Sequence, residues 1–239
     1  HSLVQITDTE VTGGMGRWVT DLQQYIHNEK PAFLIHTGDI CYEPGLTVHN
    51  QIVNAQTMDC PVYYCIGNHD LVKGNYGEEL YESIYGPTWY SFDVGNVHYV
   101  VTPIDCGDNP TDYTQRDVYN WLKNDLALMK KDQALVLFNH DLFTPDDNFV
   151  FKADEKDILD LRTFNTKDIY TICTGTLDKG GIDHSPSSFR DIKIDANDHL
   201  TTQLRYTFIE PQIAIVSPMK NQAAPIHPET GYQLPVSVN

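Results

Sequence analysis

The chain is poor in basic residues and has no long apolar run. Lys and Arg number 16 against 33 Asp and Glu among 239 residues, which gives a formal net charge of −17. Such a chain has no basic stripe to displace counterions from a polyanion, so general affinity for nucleic acid or for anionic membranes is not expected. No stretch reaches about 18 consecutive apolar residues, so no membrane-spanning helix is predicted.

Cysteine is also scarce, and its spacing matches neither a disulfide-built domain nor a zinc finger. Three of the cysteines lie in or beside apolar runs, where a buried free thiol is the usual state. The five are Cys41, Cys60, Cys65, Cys106 and Cys173. Hydrophobic residues make up 41% of the chain and aromatic residues 11%, which is enough to fill the core of one large domain.

Short apolar runs predict the central strands of the fold. They are rich in β-branched and aromatic residues and nearly continuous in apolar character, as in strands buried on both faces. These runs are residues 3–6, 32–35, 62–66 and 134–138. The intervening residues 18–26, 46–58 and 114–129 look helical, so strand and helix alternate as in layered α/β folds. Residues 89–94 and 96–101, joined by a Gly-Asn turn, predict a hairpin in a second sheet.

A short polar motif follows each central run. The motifs are Ile6-Thr7-Asp8-Thr9-Glu10, Thr37-Gly38-Asp39, Gly67-Asn68-His69-Asp70 and Phe138-Asn139-His140-Asp141. Because ligands bind at the carboxyl ends of strands in open α/β sheets, we expect the four motifs to converge on one crevice. Carboxylate and amide oxygens combined with imidazole suit Zn, Mn or Fe. Taken singly, each carboxylate could instead cap a helix or hold a turn, and a lone histidine could be a hydrogen-bonded core residue.

The tetrapeptide Gly67-Asn68-His69-Asp70 is the most specific of these motifs. Glycine permits a tight turn after the strand, and Asn68 can reach a metal. His69 can point at a leaving group while Asp70 accepts its other ring proton and fixes its tautomer. We therefore predict a general-acid dyad, His69 with Asp70, beside a metal ligand.

In this order, the motifs between residues 3 and 140 resemble the calcineurin-like metallophosphoesterase superfamily. Its pattern is D-x-H, G-D-x-x-[DY], G-N-H-[DE], a lone H and then G-H-x-H. The resemblance implies a four-layer α/β/β/α sandwich with a two-metal site. In that site Asp8 binds one ion, Asp39 bridges both, and Asn68 with His140 binds the second. A metal-held hydroxide would attack phosphorus while the two ions neutralise the phosphoryl oxygens.

Two departures from the pattern concern candidate ligands. Glu10 replaces the histidine of D-x-H and is a hard oxygen ligand that can still bind Mn, Mg or Fe. Tyr42 ends Gly38-Asp39-Ile40-Cys41-Tyr42, which resembles the purple acid phosphatase branch, where such a tyrosine binds ferric iron. The alternative for Tyr42 is a packed aromatic side chain that uses its hydroxyl on a neighbour.

The third departure is that no G-H-x-H step is present. Residues 154–161 look helical, and residues 169–173 look like a strand. Gly175 is followed by no histidine, and its position matches a later part of the domain, which follows the metal-site segments along the chain. Either the protein has lost two ligands, or a segment between Leu161 and Arg162 is absent from this sequence. We favour the second interpretation, because loss of a central strand would damage the sheet as well as the site.

These patterns predict a hydrolase of phosphomonoesters or phosphodiesters that uses two metal ions, of the Mn, Zn or Fe type, on a small phosphorylated substrate. One alternative is a degenerate binding module for a phosphorylated or carbohydrate partner. Another is a nucleotide or diphosphate-sugar hydrolase. The catalytic domain is expected over residues 1–206, and residues 207–239 are expected to begin an accessory β-sandwich. Such an accessory domain resembles those of secreted or periplasmic phosphoesterases, so that localisation is expected, although the given sequence shows no secretory signal. The sequence has no signature of an oligomeric state.

Overall fold

The computed structural model of the protein describes residues 1–10, 16–41, 43–104, 106–141, 150–164, 172–175, 177 and 187–207, and four short strands between residues 215 and 238. Its helices are α1 (Arg17–Glu29), α2 (Glu43–Ile52), α3 (Ala55–Met58), α4 (Glu78–Tyr85) and α5 (Gln115–Leu126). Its first six strands are β1 (Ser2–Ile6), β2 (Phe33–His36), β3 (Val62–Tyr64), β4 (Tyr90–Val94), β5 (Val97–Val101) and β6 (Ala134–Phe138). Four more are β7 (Val150–Lys152), β8 (Ile158–Asp160), β9 (Ser188–Ile194) and β10 (Leu200–Tyr206).

Two sheets carry the predicted strands. The first has the order β10-β9-β1-β2-β3, in which β1, β2 and β3 run parallel. The second has the order β4-β5-β6, with an antiparallel β4–β5 hairpin and a parallel β5–β6 pair. Parallel order brings the carboxyl ends of β1, β2 and β3 to the same edge of their sheet. The loops that carry the first three polar motifs therefore begin side by side.

Apolar side chains fill three layers between these elements. Between the sheets, Leu3 and Ile35 pack with Val97 and Tyr99, and Phe33 meets the Tyr99 ring edge-on at 5.0 Å. A second core joins α1 and α2 to the other face of the first sheet, and a third joins α5 to the outer face of the second sheet. Helices thus cover both outer faces, and the predicted four-layer α/β/β/α architecture is confirmed.

Three of the five cysteines are buried, and one of the predicted helices is divided into two. Cys41, Cys60 and Cys65 are buried free thiols, whereas Cys106 and Cys173 are exposed. The helix expected over residues 46–58 is wrong as a single element, because the chain breaks between α2 and α3. The Asn54 side chain accepts hydrogen bonds from the amides of Gln56 and Thr57, so it caps a new helix rather than continuing the old one. No helix in the described part of the chain has the length and apolar character needed to cross a bilayer.

The helix expected over residues 154–161 is also wrong. Strands β7 and β8 form an antiparallel hairpin there, and the Asp154 carboxylate accepts the backbone N–H groups of Lys156 and Asp157. This side-chain turn competes with the helical conformation that the Glu and Lys content favours. A 3-10 turn, Leu161–Thr163, follows β8 directly. Of the strand expected over residues 169–173, residues 169–171 lie outside the described residues, and Ile172 and Cys173 are not in a strand.

Contacts divide the chain into His1–Thr207 and Phe208–Asn239. In the second unit, β11 (Ile215–Ser217) pairs antiparallel with β14 (Ser237–Val238). Strands β12 (Ile226–His227) and β13 (Gly231–Tyr232) form a second antiparallel pair. The accessory-domain interpretation of this segment stays a prediction.

Candidate metal centre

The loop after β1 carries Asp8 and Glu10 and lies against the loop after β2. The Asp8 amide donates to the Gly38 carbonyl at 3.0 Å, and the Glu10 amide donates to the Asp39 carbonyl at 3.3 Å. Asp8 and Glu10 both have positive φ, 52° and 41°. Thr9 between them is fully buried, and its hydroxyl donates to the Ile40 carbonyl. The two acidic side chains are therefore presented by a fixed and conformationally strained loop.

The loop after β2 presents Asp39 at the middle of the site. Asp39 also has positive φ, 51°, and it is buried. Gly38 precedes it with φ of 101°, and a Cβ there would lie 2.6 Å from Nδ1 of His140. Only glycine satisfies both the backbone conformation and the contact with the histidine ring. Gly38 thus allows His140 to reach Asp39.

His36 is the last residue of β2, and its ring contacts the loop that follows the strand. The ring is fully buried, its Nδ1 accepts the amide of Gly38, and its Nε2 lies 2.9 Å from the Thr9 hydroxyl. These contacts fix a neutral tautomer with the proton on Nε2. Burial and the nearby histidines hold the pKa of His36 well below its usual value. Sequence reasoning missed this residue, although a histidine at the end of an otherwise apolar run was a visible anomaly.

A 3-10 turn, Asn68–Asp70, brings the third motif to Asp39. The His69 amide donates to Asp39 Oδ1 at 3.1 Å, and His69 Nε2 lies 4.0 Å from Asp39 Oδ2. At Gly67 a Cβ would lie 2.1 Å from the Asp39 amide nitrogen, so a side chain cannot be accommodated. Asn68 begins the turn and is half-buried. The glycine of this motif is needed for close approach of two backbones as well as for the turn.

The pairing of His69 with Asp70 is wrong. Asp70 is fully buried, and its carboxylate accepts the amides of Gly67 at 2.7 Å and Cys41 at 3.0 Å. Side chains of a 3-10 turn advance by about 120° per residue, so neighbours point in different directions. Burial raises the pKa of Asp70 to about 7, against the opposing effect of those two amides. Asp70 holds the loops together, and His69 Nδ1 instead contacts Asp108 Oδ2 at 3.1 Å.

His140 reaches the site from the second sheet. Its Nδ1 contacts the Thr37 carbonyl at 2.9 Å, so Nδ1 carries a proton, and its Nε2 lies 3.4 Å from Asp39 Oδ1. Burial would lower the pKa of His140, but the contact with Asp39 raises it to about 9. Burial likewise works to raise the pKa of Asp39, and His140 holds it below its usual value. The two groups form an ion pair, and the facing atoms, His140 Nε2 and Asp39 Oδ1, are both of types that can bind a metal ion.

Asp8 lies at the margin of this cluster. It is half-buried and accepts a hydrogen bond from the Thr7 hydroxyl at 2.7 Å. Burial raises the pKa of Asp8, the Thr7 hydrogen bond and the charge of His140 lower it, and the charges of Asp39 and Glu10 raise it further. The hydrogen bond from the Asp8 amide to the Gly38 carbonyl puts Asp8 in the loop beside Asp39. Tyr42 lies outside the described residues.

One group of side chains within the described residues has the spacing of a metal site. Ligand atoms of Glu10, Asp39 and His69 all lie within 4.8 Å of one another. Hard carboxylate oxygens combined with one imidazole nitrogen match the chemistry of Mn, Fe or Zn rather than that of a thiolate site. The donor set therefore fits a divalent cation.

The segment around Gly175 lies beside β1. The Leu177 amide donates to the Thr7 carbonyl at 3.1 Å, and the fully buried Leu177 belongs to the core under α1. The Thr174 hydroxyl donates to Oε1 of Gln5 at 2.8 Å. The expectation that Gly175 corresponds to a later part of the domain stays a prediction. Thr176 and Asp178 lie outside the described residues.

Comparison with known proteins gives one clear assignment. Similar solved structures include a purple acid phosphatase from yellow lupin (Lupinus luteus), with 16% identity, 57% of this chain and 29% of that chain covered, and a TM-score of 0.42. A dimetal phosphatase from Danio rerio has 13% identity, 60% and 70% coverage and a TM-score of 0.47. Vacuolar Protein Sorting 29 from Cryptosporidium parvum has 13% identity, 86% and 98% coverage and a TM-score of 0.38.

The chain thus spans 29% of the length of the lupin protein. No curated protein matches it. A family model described as Calcineurin-like phosphoesterase matches residues 1–202, so the chain belongs to the calcineurin-like phosphoesterase family. Members of this family generally bind divalent metal ions.

Proposed function

We propose that the protein is a metal-dependent hydrolase of phosphomonoesters or phosphodiesters. The observation that carries the proposal is the position of Asp39 between two histidines. Its Oδ1 lies 3.4 Å from His140 Nε2, while its Oδ2 lies 4.0 Å from His69 Nε2. A carboxylate whose two oxygens face different sides of a site is suited to bridging two cations.

The ligands we assign are the predicted residues Asp8, Glu10, Asp39, Asn68 and His140, with Tyr42 retained as a candidate. Divalent ions held there would supply a hydroxide nucleophile at neutral pH and neutralise charge on phosphoryl oxygens. The Thr37 carbonyl keeps the proton of His140 on Nδ1. This leaves Nε2 for a cation in place of its present proton. Asp39, which is ionised, needs no proton loss before it binds.

His69 is assigned as the proton donor to the leaving group. Its side chain is 29% exposed, so a substrate can reach it, whereas the Asp39 side chain is 7% exposed. Burial tends to lower the pKa of His69, but the contact with Asp108 and the charge of Asp39 raise it above the usual value. A cationic imidazole at this place can protonate an alkoxide as the phosphoester bond breaks.

The test is to count metals and measure turnover in the same sample. Protein purified without chelator is analysed by elemental mass spectrometry and assayed on p-nitrophenyl phosphate, bis-p-nitrophenyl phosphate and a nucleoside diphosphate. We expect bound metal and turnover, both removed by chelation and restored by Mn, Zn or Fe. Asp39→Asn should lose both, whereas the surface variant Asp59→Asn should keep both; the Asp59 side chain is 80% exposed.

The second candidate is a binding module that has lost catalysis. It is favoured by the position of Leu177, since the chain runs beside Thr7 with no histidine next to Gly175. Metal-free protein with no turnover on any of the three substrates would contradict the hydrolase and leave this candidate.

A further inference from the structure

A loop from the second sheet contacts the predicted acid, His69. Residues 106–113 lie between β5 and α5, and Asp108 Oδ2 lies 3.1 Å from His69 Nδ1. We propose that Asp108 is the positioning residue of His69 and fixes which ring nitrogen faces the candidate metal centre. This inference rests on the proposed function for its catalytic consequence, but the contact itself can be tested without activity.

The backbone beside Asp108 is attached to the turn that carries His69. The Asp108 amide donates to the Asn68 carbonyl at 3.1 Å, and Asn109 Nδ2 donates to the Leu71 carbonyl at 2.8 Å. At Gly107 a Cβ would lie 2.6 Å from the Asn68 carbonyl oxygen. A glycine is therefore required for the loop to lie this close. These contacts flank His69 on both sides, so the loop and the turn form one unit.

The other end of the loop is fixed by separate contacts. The Gly77 amide donates to the Pro110 carbonyl at 2.8 Å. The Asp112 amide donates to Oε1 of the buried Glu78 at 2.9 Å, and the Tyr113 hydroxyl donates to the Ile104 carbonyl at 2.6 Å. The backbone that carries Asp108 is thus held by contacts with the Asn68–Asp70 turn, with the start of α4 and with Ile104. A side chain on such a support loses little entropy when it holds a partner in place.

Exposure of the pair indicates that its role is orientation and not stability. The Asp108 side chain is 42% exposed and that of His69 is 29% exposed. Exposed ion pairs contribute little to folding. A carboxylate can only accept a hydrogen bond, so it requires the proton of His69 to be on Nδ1. The other nitrogen, Nε2, then faces Asp39 and the candidate metal centre, with 4.0 Å between Nε2 and Asp39 Oδ2.

The decisive variant is Asp108→Asn, which keeps the shape but adds an amide donor. The side-chain amide of Asn can donate to an unprotonated Nδ1. A neutral His69 ring could then carry its proton on Nε2, the nitrogen that faces Asp39, instead of on Nδ1. We expect kcat to fall by about 10-fold to 100-fold, the usual cost of losing such an orienting partner, with KM and bound metal close to wild type. Asp108→Glu should recover part of the loss, and Asp59→Asn should change nothing.

The readout that does not need turnover is the ¹⁵N spectrum of histidine-labelled protein, with the His69 resonances assigned from His69→Gln. In alkaline solution the wild-type ring should be the Nδ1–H tautomer, and Asp108→Asn should shift it toward Nε2–H. An unchanged His69 spectrum with unchanged kcat would overturn the proposal, as would parallel loss of metal. If wild-type protein hydrolyses no ester, the proposed function fails, while the spectrum still decides the pairing.

Discussion

The candidate metal centre and the outer part of the second sheet both pair histidine with aspartate, but they use the imidazole differently. In the second sheet, His98 Nδ1 lies 2.7 Å from Asp93 Oδ1 and Nε2 lies 2.9 Å from Asp125 Oδ2. At the metal centre, His69 and His140 each have Nδ1 bound outside the site and Nε2 directed at Asp39. A ring held at both nitrogens by scaffold carboxylates supports structure, whereas a ring whose Nε2 faces a candidate metal ligand can bind a cation or move a proton.

The cluster around His98 is tied into the scaffold. Asp125 also accepts the Ser91 hydroxyl at 2.7 Å, and Asp93 also accepts Nε2 of Gln133 at 3.0 Å. Asp125 belongs to α5, while Ser91 and Asp93 belong to β4. The cluster therefore attaches the outer helix to the β4–β5 hairpin. The two regions differ in what Nε2 of the histidine faces, and not in the residue types.

Removing the His69 ring should have the largest effect. We expect His69→Ala to lower kcat by about 10²-fold to 10⁴-fold, the range for loss of a general acid, with metal content close to wild type. Steady-state kinetics and elemental mass spectrometry on the same preparation measure both. Equal loss of metal and turnover would instead make His69 a ligand, as its place with Glu10 and Asp39 also permits.

His140→Ala should act on the metal first. Loss of an outer partner already weakens metal binding by about 10-fold to 100-fold, so loss of a direct ligand should cost at least that much. Metal titration followed by elemental analysis measures the affinity, and added Mn or Zn should restore part of the turnover. The exposed His27, 3.9 Å from Asp59, supplies the control His27→Ala. Wild-type metal affinity in His140→Ala would remove this residue from the site.

His98→Gln should leave turnover unchanged. It should lower the free energy of unfolding by about 2 kcal/mol, the contribution of a hydrogen bond to a charged group. Burial would lower the pKa of His98, but the contacts with Asp93 and Asp125 raise it above its usual value. Its stabilising contribution is therefore complete below about pH 6.5 and is lost as pH rises through the raised pKa. Urea unfolding of wild type and variant across this range measures the difference.

The gap in unfolding free energy between wild type and His98→Gln should consequently narrow as pH rises. Lys130 Nζ lies 4.0 Å from Asp93 Oδ2 and is present in both wild type and variant, so it does not produce the same trend. His27→Gln is the matched control, because its side chain is 71% exposed and should contribute little at any pH. A gap that stays constant with pH would mean that the pKa of His98 is the same in the folded and the unfolded protein.

The sequence was informative where one short segment determines the structure. The strand ends before Asp8, Asp39 and His140 could be predicted because apolar runs define buried strands and polar residues must follow them. Asp108 could not be predicted, since it lies 39 residues from His69 and is one acidic residue among many in a polar loop. Adjacency suggested Asp70, but the geometry of a 3-10 turn sends that side chain into the core.

The β7–β8 hairpin was missed for a related reason. Residues 154–161 contain good helix formers, yet Phe151 pairs with Leu159 across the hairpin and both pack against the core under α5. Arg116 of α5 also forms ion pairs with Asp154 and Asp157, at 2.5 Å to the latter. Long-range partners of this kind override local propensity and leave no trace in the local pattern.

The left-handed backbone at Asp8, Glu10 and Asp39 has a consequence for protein engineering. Non-glycine residues in this conformation cost of order 1–3 kcal/mol each, so all three positions are weak points for stability. A redesign that seeks only a higher melting temperature would place glycine or asparagine there and would succeed by that measure. It would also remove the acidic side chains that form the candidate site. Stability and activity therefore make opposite demands on the same three residue positions.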